Sequence, residues 1–241
     1  MVVLAVDTTS EHGGAALFRD QECLAAEGSE GAAGYSVTLF QMVDRLIEET
    51  RANRAVPIRG LADIELYAVA NGPGSFTGIR VGLAAAQAWA KAFGRPAFAV
   101  SILEAMVDEA RPETDLAVPI LDARRGEFYA GVFCRSAIEG DGFVPEGDGE
   151  VLKPAALAQF FDARLRLGTS ITCLVREHDE LATRVRESLP AAVHWQCISG
   201  TLLAAIARRA LAAFRQGKTS PPADLDAYYI RRTDAELHLK D

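Results

Sequence analysis

Residues 71–78 read NGPGSFTG, and the run IRVGLAAAQAWAKAF follows directly. A glycine-rich turn between an apolar strand and a helix aims backbone N–H groups and a positive helix end at one point, where an anion could sit. The spacing argues against a phosphate loop. The glycines are Gly72, Gly74 and Gly78, which fit neither GxGxxG nor GxxxxGK, and Ile79 and Arg80 follow Gly78 where a lysine would be needed. Two carboxylates offer a second chemistry, since Asp7 in LAVDTTSEHGGAALF (4–18) and Asp122 in LAVPILDARRGEFYAGVF (116–133) hold matching places. Such a pair, facing across a cleft, can manage Mg-phosphate. After Asp7, however, come Thr8, Thr9 and Ser10, with glycine deferred to Gly13 and Gly14, so side chains fill the place a phosphate would need. The ligand contacts that remain on this reading are vestigial: Asp7, Thr8, Gly74, Ser75, Asp122 and Arg124.

Other chemistries lack their residues. Histidines at 12, 178, 194 and 238 make no HxxxH or HExxH pair, so no metal site is expected. No GxSxG elbow occurs, and Ser75 has no assignable histidine partner, which leaves helix capping as its role. Arg124, Arg125 and Glu127 occupy the second hairpin turn, where charges either bind an anion or decorate a solvated turn. No catalytic residue is assigned.

These residues must be positioned by recognisable elements. VVLAV (2–6) reads as a buried strand, TTSEHGG as a turn, and AALF (15–18) as a second strand antiparallel to it. Ser36 is expected to cap a helix over 36–51, whose Leu39, Val43, Leu46, Ile47 and Thr50 recur at helical spacing. IELYAVAN (64–71) is a strand, and residues 75–93 a helix closed by Gly94 and Pro96. AFAV (97–100) starts a further strand. Gly78, Gly82, Ala86 and Ala90 lie four apart, a stripe over which another backbone can pass closely. Each glycine costs about 1 kcal/mol in a helix, so close packing must offset it. The stripe meets either this domain's own sheet and the 36–51 helix, or another molecule.

The order is α/β with mixed sheets. The repeated opening predicts two duplicated domains, 1–103 and 104–241, the second smaller and carrying a helix over 201–216 and a tail. Residues 136–150 are acidic and Gly-rich, expected as a surface excursion, and 217–226 as a linker.

The 241 residues carry a net charge of −8, which offers no broad basic face to nucleic acid and makes any tRNA contact indirect. Four separated cysteines fit reduced thiols in a cytoplasm. Nothing reads as a membrane span or an export signal.

LAVDTTS, AVANGPGSFTGIRVGLAAAQAWA, DARRGEFY and YYIRR together resemble the TsaB, or YeaZ, family, over Val3 to about Arg232. The resemblance implies ribonuclease H-like domains of the actin-like ATPase superfamily. It also implies a non-catalytic scaffold and activator of threonylcarbamoyladenosine formation in tRNA, at the adenosine next to the anticodon. Its partners would be a TsaD-type catalytic subunit and a TsaE-type ATPase, with a homodimer when alone. Helices 36–51 and 75–93 would form the interface, through Leu39, Val43, Ile47, Phe76, Gly78, Gly82, Ala86 and Ala90. No tightly bound cofactor is implied, and a nucleotide at the partner interface remains compatible. Members often carry histidine at the start of the first helix, where this chain has Tyr35. The alternative is an ATP-dependent small-molecule kinase of the same superfamily. A peptidase, the third reading, lacks both a metal pair and a nucleophile with its base.

Overall fold

The computed structural model describes residues 1–29, 34–52, 58–136, 142–177, 180, 182, 186, 189–198, 200–218 and 221–230. The chain forms two compact units, residues 1–105 with 200–228, and residues 106–199 with 229–241.

The first unit is built on a five-stranded sheet in the order β3-β2-β1-β4-β5. Its strands are β1 (Val2–Asp7), β2 (Gly14–Arg19), β3 (Glu22–Gly28), β4 (Leu66–Gly72) and β5 (Ala97–Ser101). β1 pairs antiparallel with β2, placing Asp7 opposite Gly14, and parallel with β4, so the sheet is mixed. Helices α1 (Tyr35–Ala52) and α2 (Phe76–Phe93) cover one face. There Leu4, Val6, Leu17 and Val69 share a core with Leu39, Val43, Leu46, Ile79, Leu83 and Trp89. Alternation along β1 sends Val3 and Ala5 to the other face, and helix α5 (Leu203–Arg215) lies against β1, β4 and β5. Both faces are covered, which is why β1 reads as an unbroken apolar run.

Several expectations are corrected here. Helix α5 packs on the first unit, although the sequence grouped it with residues 104–241. Its buried stripe of Leu203, Ile206, Ala207, Ala210 and Leu211 supplies the apolar cover that the second sheet face requires. Two ion pairs fix it: Arg209 to Glu104 at 2.9 Å and Arg215 to Asp20 at 3.0 Å. Residues 217–226 are not a free linker either. A 3-10 turn (Pro222–Asp224) leads to Leu225, which is buried in the first core, and Gln87 Nε2 donates to the Leu225 carbonyl at 2.9 Å. Helix α1 begins at Tyr35, one residue before the expected Ser36 cap, with the Val37 amide donating to the Gly34 carbonyl.

The second unit carries a seven-stranded sheet with the path β10-β7-β6-β11-β12. Its strands are β6 (Leu116–Asp122), β7 (Phe128–Ala130), β8 (Phe133–Arg135), β9 (Phe143–Pro145), β10 (Glu150–Leu152), β11 (Ile171–Arg176) and β12 (His194–Ile198). β6, β11 and β12 are parallel, and β7 runs antiparallel to both β6 and β10. This is the same succession of pairings as in the first sheet. Helix α3 (Ile102–Ala110) contains the boundary between the units, and α4 (Pro154–Arg166) starts with proline at its first position. Leu157 and Phe161 of α4 bury against Val118, Ile120 and Phe128.

The hairpin strand after Asp122 is split into β7 and β8, both of which pair with β6. The break falls opposite Pro119, which has no N–H for a ladder and whose carbonyl accepts the Gly131 amide instead. Within the expected excursion 136–150, residues 137–141 lie outside the described residues, but β9 and the start of β10 join the sheet as strands. Among the described residues no helix is long and apolar enough to cross a membrane.

Candidate functional site

The carboxyl end of β1, the turn after it and the start of α2 meet in the first unit. Asp7 is fully buried, and its Oδ1 accepts from the Thr9 amide at 2.9 Å and the Thr9 hydroxyl at 2.6 Å. Thr8, also fully buried, donates its hydroxyl to the Gly78 carbonyl at 2.7 Å. The Ser75 amide donates to the Thr9 carbonyl at 2.7 Å, and Ser75 Oγ caps α2 by accepting the Gly78 amide at 3.2 Å. A Cβ at Gly74 would lie 2.4 Å from the Thr9 carbonyl oxygen.

Asp7, Thr8, Gly74 and Ser75 are therefore brought together, as the sequence suggested, but they bind one another. The entrance to the α2 N-terminus is filled by the chain's own threonine carbonyl, whose partial negative charge takes the place of an anion. Tyr35 closes the turn from α1 by donating its hydroxyl to the Ser10 carbonyl at 2.8 Å. Asp122 and Arg124 lie in the second unit, in the β6–β7 hairpin, where the Arg124 amide donates to Asp122 Oδ1 at 2.6 Å.

The small-residue stripe resolves in favour of internal packing. Gly78, Gly82, Ala86 and Ala90 are buried. A Cβ at Gly78 would come within 1.9 Å of the Thr8 carbonyl oxygen, and one at Gly82 within 2.4 Å of Thr8 Oγ1. The expected interface residues Leu39, Val43 and Ile47 are core residues as well. They follow the helical period that faces this unit's own sheet, so they cannot also face a partner.

What α1 and α2 present to solvent is a different set. Val37 is 64% exposed, Phe40 50%, Phe76 42% and Phe93 38%. Ala84 and Ala88 are exposed on α2. Of the residues assigned to an interface from sequence, only Phe76 belongs to this set. Phe40 sets its ring 5.5 Å from the buried Trp89 in an edge contact, and the Arg80 guanidinium lies 3.8 Å over the Phe76 ring. Beneath them the Tyr67 phenol, pushed up to about 12 by burial, donates to the Leu61 carbonyl. The missed signal was the apolar residues that break the period: Val37 and Phe40 fall between the buried positions Tyr35, Leu39 and Val43.

Among the described residues no group of three histidine, cysteine or carboxylate side chains could hold an ion. His12 is exposed beside Glu11, His194 begins β12, and His178 and His238 lie outside the described residues.

Residues 31–147 match the family model described as TsaD, tRNA N6-adenosine threonylcarbamoyltransferase. The chain is 33% identical over 133 residues to the tRNA threonylcarbamoyladenosine biosynthesis protein TsaB of Bacillus subtilis, covering 55% of each chain. It is 30% identical over 156 residues to the Escherichia coli protein of that name, covering 64% of this chain and 63% of that one. Over these stretches the chain is similar to proteins named TsaB. In fold, it matches YeaZ from Pseudomonas aeruginosa with a TM-score of 0.70 at 22% identity, over 95% of this chain and 99% of that one. The match to the Bacillus subtilis TsaB spans about half the length of that relative. The family model's residues 31–147 take in α1, the β4–α2 loop and α2.

Proposed function

We propose that this chain is an accessory subunit in the transfer of a threonylcarbamoyl group to tRNA, at the adenosine next to the anticodon. On this reading it has no activity of its own and acts by holding a TsaD-type catalytic subunit, with a TsaE-type ATPase completing the cytoplasmic assembly. The names of its relatives support the pathway. The observation that carries the role is the apolar outer face of α1 and α2, with Val37, Phe40 and Phe76 exposed beside Ala84 and Ala88. Flat alanine surface flanked by aromatic anchors suits docking of another helix pair. The same face, in the absence of the partner, would join two copies of the chain. The filled α2 N-terminus supports the non-catalytic part, because a nucleotide phosphate would have to displace Thr9 and Ser75 from each other. The shared strand pairings support an origin by duplication of one ribonuclease H-like unit, here divided so that α5 returns to the first.

Reconstitution tests this. Modified adenosine is counted by mass spectrometry with tRNA, threonine, bicarbonate, ATP and the partner proteins, with and without this chain. Product should require the chain and fall at least tenfold with Val37→Asp or Ala88→Arg, while circular dichroism and melting stay unchanged. Full product without the chain, or Mg-ATP binding by the chain alone at micromolar concentration, would overturn it, the latter in favour of a small-molecule kinase.

A further inference from the structure

In the second unit the turn that joins β6 to β7 has an unusual backbone. Arg124, Arg125 and Gly126 take φ values of 64°, 57° and 74°, three left-handed residues in succession. Glycine reaches this region freely, and asparagine tolerates it, whereas an arginine there is held against its preference. The surroundings do the holding. Asp122 Oδ1 accepts the Arg124 amide at 2.6 Å, the Ala123 amide donates to the Glu127 carbonyl at 2.9 Å, and the Glu127 amide to the Arg124 carbonyl at 3.1 Å. Behind them Ala123 and Phe128 are buried, so the tip is anchored in the core. The side chains themselves are exposed, that of Arg124 by 85%, with its guanidinium in a loose, solvent-facing ion pair 3.9 Å from Asp122 Oδ2. Strain kept for two exposed side chains returns little packing to the fold, and such strain gathers at binding sites. The position points the same way: the turn leaves the carboxyl end of β6, in parallel register with β11 and β12, the edge where α/β sheets take ligands.

We infer that Arg124 and Arg125 form a contact for the phosphate backbone of the tRNA. Paired guanidiniums present planar donor forks that match phosphodiester oxygens, and a pre-set turn spares the ordering cost of placing them. The inference rests on the tRNA-modifying reading above. It departs from the expectation that an acidic chain touches tRNA only indirectly, because a local pair of phosphate contacts needs no basic face.

The test uses the full chain in complex with its TsaD-type partner and a tRNA transcript bearing adenosine beside the anticodon. Arg124→Asn with Arg125→Gly relieves the backbone and removes both charges. It should raise the melting temperature of the chain, weaken tRNA binding roughly tenfold at low salt, and reduce the slope of log affinity against log salt by about 1 to 2. Arg124→Lys with Arg125→Lys should keep the salt slope. A complex that forms and modifies tRNA, yet binds it equally well with either variant, refutes the inference alone. Loss of affinity for the protein partner with tRNA binding intact also refutes it. A wild-type chain that neither binds the partner nor raises product sinks the functional reading and this one together.

Discussion

Gly82→Ala tests whether the glycines of α2 exist for Thr8. On helix propensity alone the change should stabilise the chain by about 1 kcal/mol. The new Cβ, however, would stand 2.4 Å from Thr8 Oγ1 and 3.3 Å from Val69 Cγ2. Turning the threonine away would break its 2.7 Å bond to the Gly78 carbonyl, worth about 1 kcal/mol. Overpacking of this kind costs about 1–3 kcal/mol, so the net loss should be about 1–3 kcal/mol. Thr8→Ala removes the obstructing oxygen. The double variant Thr8→Ala with Gly82→Ala should then be no less stable than Thr8→Ala alone, a coupling of at least about 1–3 kcal/mol.

Gly78→Ala supplies the contrast, because its Cβ would lie 1.9 Å from the Thr8 carbonyl oxygen, which every residue at position 8 retains. Its loss should exceed that of Gly82→Ala and should not be rescued by Thr8→Ala. The assay is urea unfolding followed by the fluorescence of buried Trp89 in a Trp195→Phe background, so that only the first unit reports. A harmless Gly82→Ala, or rescue of both glycine variants alike, would refute the packing account.

Three further outcomes follow from other parts of the chain. Leu225→Ala, near the chain's end but 6% exposed in the first core, should cost about 2–4 kcal/mol and speed proteolysis after α5. Glu146 accepts from Arg164 at 2.5 Å and from the Cys134 thiol at 3.2 Å, and these bonds hold its carboxyl below the usual glutamate range. Its ionised form therefore adds stability above that range and loses it as pH falls through the lowered value. Glu146→Gln should lower stability at pH 7 by less than about 1 kcal/mol, and the gap should close in acid melts. With a thiol reagent on the native chain, exposed Cys23 and Cys197 should react first, while Cys173, buried and with its thiol pushed up by burial, should react only on unfolding.

The apolar run of β1, the Ser75 cap and the Gly94 stop of α2 were legible because they are local: an unbroken run rich in β-branched residues, capping chemistry and a left-handed terminus are written within a few residues. The mixed sheet followed from a turn too short for anything but an antiparallel return. The resemblance to the TsaB/YeaZ family was legible in four motifs. The direction in which the glycine stripe faces was not, because a stripe records close approach without recording the approaching atom, and only the fold shows that it is Thr8. For the same reason Leu39, Val43 and Ile47, the strongest apolar pattern on α1, marked the core, while the outward face was carried by residues off that pattern. The destination of α5 was hidden because any uncovered sheet face would have satisfied its buried stripe.

That return of α5 sets an order of events during synthesis. The first 105 residues leave the ribosome carrying all five strands of their sheet but only one helical layer. Val3, Ala5 and their neighbours stay bare until α5 has been translated. At about 5–20 residues per second that wait is roughly 5–22 s. Nascent chains would pass this interval with an apolar sheet face open to chaperones. A gene fragment ending after β5 would express a half-covered sheet prone to aggregate, so the first unit is best isolated by joining residues 1–105 to 200–228 rather than by cutting the chain in two.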